Sequence, residues 1–89
     1  MSNAIQESSY TIGTTAVSLG SNGFVGRAGI TIFNAGGGGV LYVGSGGVTI
    51  GGGISLASNA TPLQLPTPEG AAVYGIASLA GTLVRIIEY

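Results

Sequence analysis

Five side chains carry all the formal charge of this chain: Glu7, Arg27, Glu69, Arg85 and Glu88. There is no Lys, Asp, His, Cys or Trp. Two carboxylates about 5–10 Å apart across a cleft are what glycoside hydrolysis needs. Glu7 falls near the start of the chain, Glu69 in a turn and Glu88 in the last apolar run, so no such pair is expected. The same three acids cannot make a strong calcium site without many carbonyl ligands. Without His there is no serine–histidine hydrolase, no imidazole metal ligand and no switch near neutral pH. Without Cys there is no disulfide framework, thiolate zinc site or thiol nucleophile. Ser45 lies between glycines but lacks nucleophile-elbow spacing and any base to activate it. The reading is a non-enzyme with no catalytic residue, metal or cofactor.

The glycine runs invite a phosphate-loop reading, which fails. A Walker loop needs Lys followed by Ser or Thr. Gly44-Ser45-Gly46 has Thr49 where a dinucleotide fingerprint needs its third glycine. Tight turns are the expectation. Two arginines cannot neutralise a run of phosphates, so nucleic acid is not an expected partner. Arg85 and Glu88 have opposite parity, and a regular strand would point them to opposite faces. The arginines read as solvated, with exposed ion pairs worth under about 1 kcal/mol. A sharper reading makes one of them the anchor of a partner protein. The aromatic residues are Tyr10, Phe24, Phe33, Tyr42, Tyr74 and Tyr89. They serve core and interface, with an exposed sugar-binding platform as the alternative. Asn59-Ala60-Thr61 is a glycosylation sequon, meaningful only in a secreted protein.

The elements that must position these residues are short. The 89 residues and 8.6 kDa suit one domain exposing roughly 4,700 Å². Eighteen glycines separate short β-branched and aromatic runs. Runs at 10–12, 15–19, 28–33, 40–43, 48–50 and 54–56 read as strands, as does 83–89. Turns or loops are expected at 20–23, 34–39, 44–47, 57–61 and 67–70. Residues 63–65 lie between Pro62 and Pro66 and read as at best an edge strand. Residues 71–78 are ambiguous: the alanines suit a helix, whereas Val73, Tyr74, Ile76 and the flanking glycines favour a strand. About seven short runs with glycine-rich turns point to a β-sandwich or small barrel. Residues 1–8 read as a flexible N-terminal segment and 9–89 as the single domain. The polar start lacks the basic opening of a signal peptide. No apolar run approaches the roughly 18 residues of a membrane helix, so no membrane partner is expected.

Charged residues are 6% of the chain, against about 25% in an average globular protein. On so sparsely charged a surface, polar cover must come from Ser, Thr, Asn, Gln and backbone, or another protein must cover part of it.

The order of segments resembles a group of small virion proteins of tailed bacteriophages. The matching pieces are Arg27-Ala28-Gly29-Ile30-Thr31-Ile32-Phe33-Asn34, Leu41-Tyr42-Val43-Gly44, Gly53-Ile54-Ser55-Leu56, Val73-Tyr74-Gly75-Ile76-Ala77 and Val84-Arg85-Ile86-Ile87-Glu88-Tyr89. The pieces follow in the expected order, and the resemblance covers roughly residues 9 to 89. The resemblance implies a small β-sandwich used as a particle component: a decoration (cement) protein on the head, a head-fibre base or a tail-associated module. It implies a homotrimer or a place on a symmetry axis. The combined expectation is an all-β, small antiparallel β-sandwich, jelly-roll-like, of about seven short strands. The expected partner is the major capsid protein or another virion protein. The expected location is the capsid surface, after synthesis in the host cytoplasm. The alternative is a receptor- or glycan-binding module of a tail or fibre. The residues expected to make contacts are Arg27, Gly36, Gly37, Gly38, Gly39, Val84, Arg85, Ile86 and Tyr89.

Overall fold

A computed structural model describes residues 5–20, 27–37, 39–68 and 71–89. Period-2 alternation is clearest at the C-terminus. In β8 (Thr82–Glu88), Thr82, Val84, Ile86 and Glu88 are buried while Leu83, Arg85 and Ile87 are exposed. β3 (Ile30–Gly36) buries Ile30, Ile32 and Asn34 in the same way. The other strands are β1 (Gln6–Ile12), β2 (Val17–Leu19), β4 (Leu41–Gly44), β5 (Ile54–Leu56), β6 (Leu63–Leu65) and β7 (Val73–Ala77). Inward residues cannot all be covered by one sheet, so two sheets close over them. Their strand orders are β1-β8-β3-β6 and β2-β7-β4-β5, with every pairing antiparallel.

That order has a simple origin. β4 pairs with β5, β3 with β6, β2 with β7 and β1 with β8. The chain is therefore one long hairpin, and the midpoint of each pairing falls between residues 46 and 49. Curling this hairpin adds the pairings β3–β8 and β4–β7 and splits it into two sheets. The result is an eight-stranded jelly roll, and the expected antiparallel β-sandwich is what the chain forms.

The core between the sheets holds Ile12, Leu19, Ile30, Ile32, Leu41, Val43, Leu56, Val73, Ala77, Val84 and Ile86. Gly75 is the one glycine in the middle of a described strand, and it faces inward. A Cβ there would stand 3.0 Å from Leu19 Cδ1 and 3.1 Å from Leu41 Cδ1. Its missing side chain is the space these tips occupy.

Some expectations change and others are met. Residues 48–50 are not a strand. Val48 N–H donates to Ser45 O at 2.9 Å and Gly52 N–H to Thr49 O at 2.8 Å, so two turns follow each other at the hairpin tip. β1 reaches back to Gln6, because Gln6 to Ser8 continue the ladder against Ile86 to Glu88, so the domain begins before residue 9. Residues 63–65 do form a strand: an edge, as the flanking prolines require, pairing with β3 alone. The ambiguous run 71–78 is a strand over Val73–Ala77. The expected turn at 20–23 lies outside the described residues beyond Gly20. That at 67–70 does so at Glu69 and Gly70, although Ala71 N–H donates to Pro68 O at 3.1 Å across it.

Candidate functional site

Two polar clusters are built into the sandwich, and both serve architecture. The first joins the residue that leads into β3 to the end of β8. Arg27 Nη1 donates to Glu88 Oε2 at 2.8 Å, with both side chains almost wholly buried. Arg27 Nε donates to Thr67 O at 3.1 Å, and Nη2 donates to Pro68 O at 3.2 Å and Ala71 O at 2.5 Å. A buried charge is tolerated only when paired and hydrogen-bonded. Here one guanidinium closes one end of the molecule by tying β8 to the link between β6 and β7. Gly20, with φ +86°, lies against the same ion pair; a Cβ there would meet Glu88 Oε2 at 3.0 Å.

The second cluster centres on Asn34, which is fully buried. Its Nδ2 donates to Gly39 O at 3.0 Å and Leu56 O at 2.9 Å, and its Oδ1 accepts from Gly36 N–H at 3.1 Å. Asn34 thus links the two sheets and holds the glycine-rich loop. That loop needs glycine because it lies against the turn before β8. A Cβ on Gly37, whose φ is +97°, would collide with the Gly81 carbonyl.

The accessible chemistry lies on the outer face of the first sheet. A groove of about 440 Å³ runs over β1, β8 and β3, lined by Glu7, Ser8, Ser9, Thr31, Phe33, Pro62, Arg85, Ile86 and Ile87. The ladder explains its layout. Ser9, Arg85 and Phe33 form one cross-strand row, and Glu7, Ile87 and Thr31 form the next. Glu7 and Arg85 are diagonal neighbours, a separation of about 7–8 Å in an antiparallel pair. They are the only exposed charges among the described residues. Leu83 and Ile87, 47% and 41% exposed, flank Arg85 along β8. The outer face of the second sheet differs. On its central strand Ile76 is 8% exposed, and Tyr74 lies beneath the hairpin tip, close to Gly46. The hairpin tip lies over the Tyr74 and Gly44 end of one face; on the other, Leu83, Arg85 and Ile87 stand exposed.

The structure separates the residues expected to make contacts. Arg85 lies in the groove and Tyr89 at its margin, where Tyr89 Oη accepts from Gln64 Nε2 at 3.0 Å. Arg27 is a correction: it is 4% exposed and engaged inside, so it is neither solvated nor free to anchor a partner. Val84 and Ile86 are corrections for the same reason, since parity on β8 turns both into the core at 1% exposure. Their outward neighbours Leu83 and Ile87 take the positions a partner could reach. Gly36 and Gly39 are held by Asn34, Gly37 is exposed, and Gly38 lies outside the described residues. Glu7 and Glu88 sit on opposite faces of their sheet and share no cleft.

Sequence reasoning missed the Arg27–Glu88 pair although a signal existed. Val84, Ile86 and Glu88 share one parity, which puts a carboxylate on an apolar face where it needs a cation. Parity removes Arg85, leaving Arg27 as the sole candidate. The groove residues Ser9, Thr31 and Phe33 left no such signal, because strands far apart in sequence bring them to Arg85; Ile87 shares the parity of Arg85 on β8 and was legible in the same way. No protein-family model, curated protein or solved structure matches the chain.

Proposed function

We propose that the chain is a structural component of a tailed-phage particle, a capsid decoration protein that docks through the outer face of the β1–β8–β3 sheet. The observation that carries this reading is the distribution of charge. Arg27 and Glu88 neutralise each other inside, so 4555 Å² of surface displays Glu7 and Arg85 as its described charges, both in one groove beside Leu83 and Ile87. Docking that face buries two opposite charges that are diagonal neighbours, and its apolar area supplies about 25 cal/mol per Å² against their desolvation and the costs of association. Repetition over a symmetric shell turns modest contacts into avidity. The jelly roll also occurs in viral capsid domains, which is support by analogy of fold alone.

The test is the copy ratio of this chain to the major capsid protein on purified particles. Wild-type chain should be present at a fixed ratio. Leu83→Asp with Ile87→Asp should fold normally and lose about tenfold or more in occupancy, since burying a Leu or Ile side chain is worth about 1.5–3 kcal/mol. Absence of the wild-type chain from particles, or undiminished occupancy of the variant, contradicts the proposal.

A second reading, a glycan-binding module of a tail or fibre, is favoured by one feature. Phe33 stands in a row with Arg85 and Ser9, next to Glu7 and Thr31, an aromatic face with polar groups around it. Glycan-array binding that Phe33→Ala abolishes would select it; an array without signal removes it.

A further inference from the structure

We infer that β1 is an open sheet edge built to pair with β1 of a second copy of this chain, antiparallel across a two-fold axis through Ser9. The four edge strands differ sharply. β2, β5 and β6 have three residues each, and β6 is bracketed by Pro62 and Pro66. Short length and proline are ways of keeping an edge from recruiting another strand. β1 has seven residues, Gln6-Glu7-Ser8-Ser9-Tyr10-Thr11-Ile12, with no Pro, Gly, Lys or Arg. It pairs with β8 on one side, and no described strand pairs with its other side. Its backbone donors and acceptors on that side form a template for main-chain pairing.

The occupant follows from register. A continuous sheet must keep Glu7, Ser9 and Thr11 of both copies on the outer face, so only registers that pair odd residues with odd residues qualify. One such register engages all seven residues. It sets Ser9 opposite Ser9, Ser8 opposite Tyr10, Glu7 opposite Thr11 and Gln6 opposite Ile12. The like charges of the two Glu7 side chains are thereby kept apart, each facing a hydroxyl. The strand is complementary to itself, which a two-fold contact requires. Pairing would join two four-stranded sheets into one of eight and set the two grooves on either side of the axis. This inference stands apart from the particle reading and from the trimer that the resemblance implies, because its test is read in solution without particles.

Sedimentation equilibrium of the full chain should show a concentration-dependent mass of twice 8.6 kDa. The chain has no Cys, so introduced thiols report register cleanly. Directly opposed residues on antiparallel strands are about 4.5–5.5 Å apart between Cα atoms, within disulfide range. Mild oxidation should cross-link Ser9→Cys with itself. Glu7→Cys alone and Thr11→Cys alone should stay unlinked, while a mixture of the two should link. A wild-type mass that stays monomeric to millimolar concentration or is trimeric overturns the inference, as does linking of Ser9→Cys no faster than of Thr11→Cys alone.

Discussion

Arg27 shows how one side chain can close a small molecule. Its guanidinium serves one carboxylate and three carbonyl oxygens, from Thr67, Pro68 and Ala71. Removing one partner of a buried ion pair costs about 3–5 kcal/mol, because the other charge is left unpaired. Arg27→Met also strips those carbonyls of their donor, whereas Glu88→Gln leaves them satisfied. Urea denaturation should therefore place Arg27→Met below Glu88→Gln in stability, and both well below wild type. Equal midpoints for the three proteins would show that the pair contributes nothing. Asn34 offers a second test. Asn34→Asp keeps the acceptor for Gly36 N–H but turns a second oxygen towards the Gly39 and Leu56 carbonyls. The expected loss is about 1–3 kcal/mol for each carbonyl deprived of its donor, read from the same denaturation curves.

Among the elements, glycines that look alike in sequence have different duties. Gly75 lies inside β7 with Leu19 and Leu41 tips where a Cβ would go; Gly47 lies in the hairpin tip with nothing within 4 Å and no positive φ. Gly75→Ala should lose about 1–3 kcal/mol by overpacking. Gly47→Ala should be neutral or gain up to about 1 kcal/mol by restricting the unfolded chain. Thermal midpoints of the two variants check both. Much of the architecture was legible because alternation in 28–33 and 83–89 is strong and glycine and proline mark the turns. The run 48–50 misled because Val-Thr-Ile has strand composition, yet glycines on both sides allow two turns that cap the hairpin. Of the side chains that face the groove, Arg85 was the one expected to make contacts, and parity on β8 puts Ile87 beside it. Ser9 becomes a neighbour of Arg85 through the pairing of the two ends of the hairpin, and Thr31 and Phe33 through its curling, non-local events that no window of sequence contains.

On the scale of the whole molecule, the account rests on an asymmetry between two outer faces. On one, the hairpin tip lies over Tyr74 and Gly44, and the other presents Leu83, Arg85 and Ile87 to solvent. Contiguous exposed apolar groups rimmed by polar ones mark interaction sites. The seven-residue edge of β1 borders that same face, so self-pairing and docking would share one side of the molecule. The most direct measurement is hydroxyl-radical footprinting of the chain free in solution and on purified particles. The account predicts strong protection of Phe33, Leu83 and Ile87 on the particle, with labelling of Ile50 and Ile54 near the hairpin tip unchanged. Equal labelling of Phe33, Leu83 and Ile87 in both states, or protection confined to the hairpin tip, would contradict it.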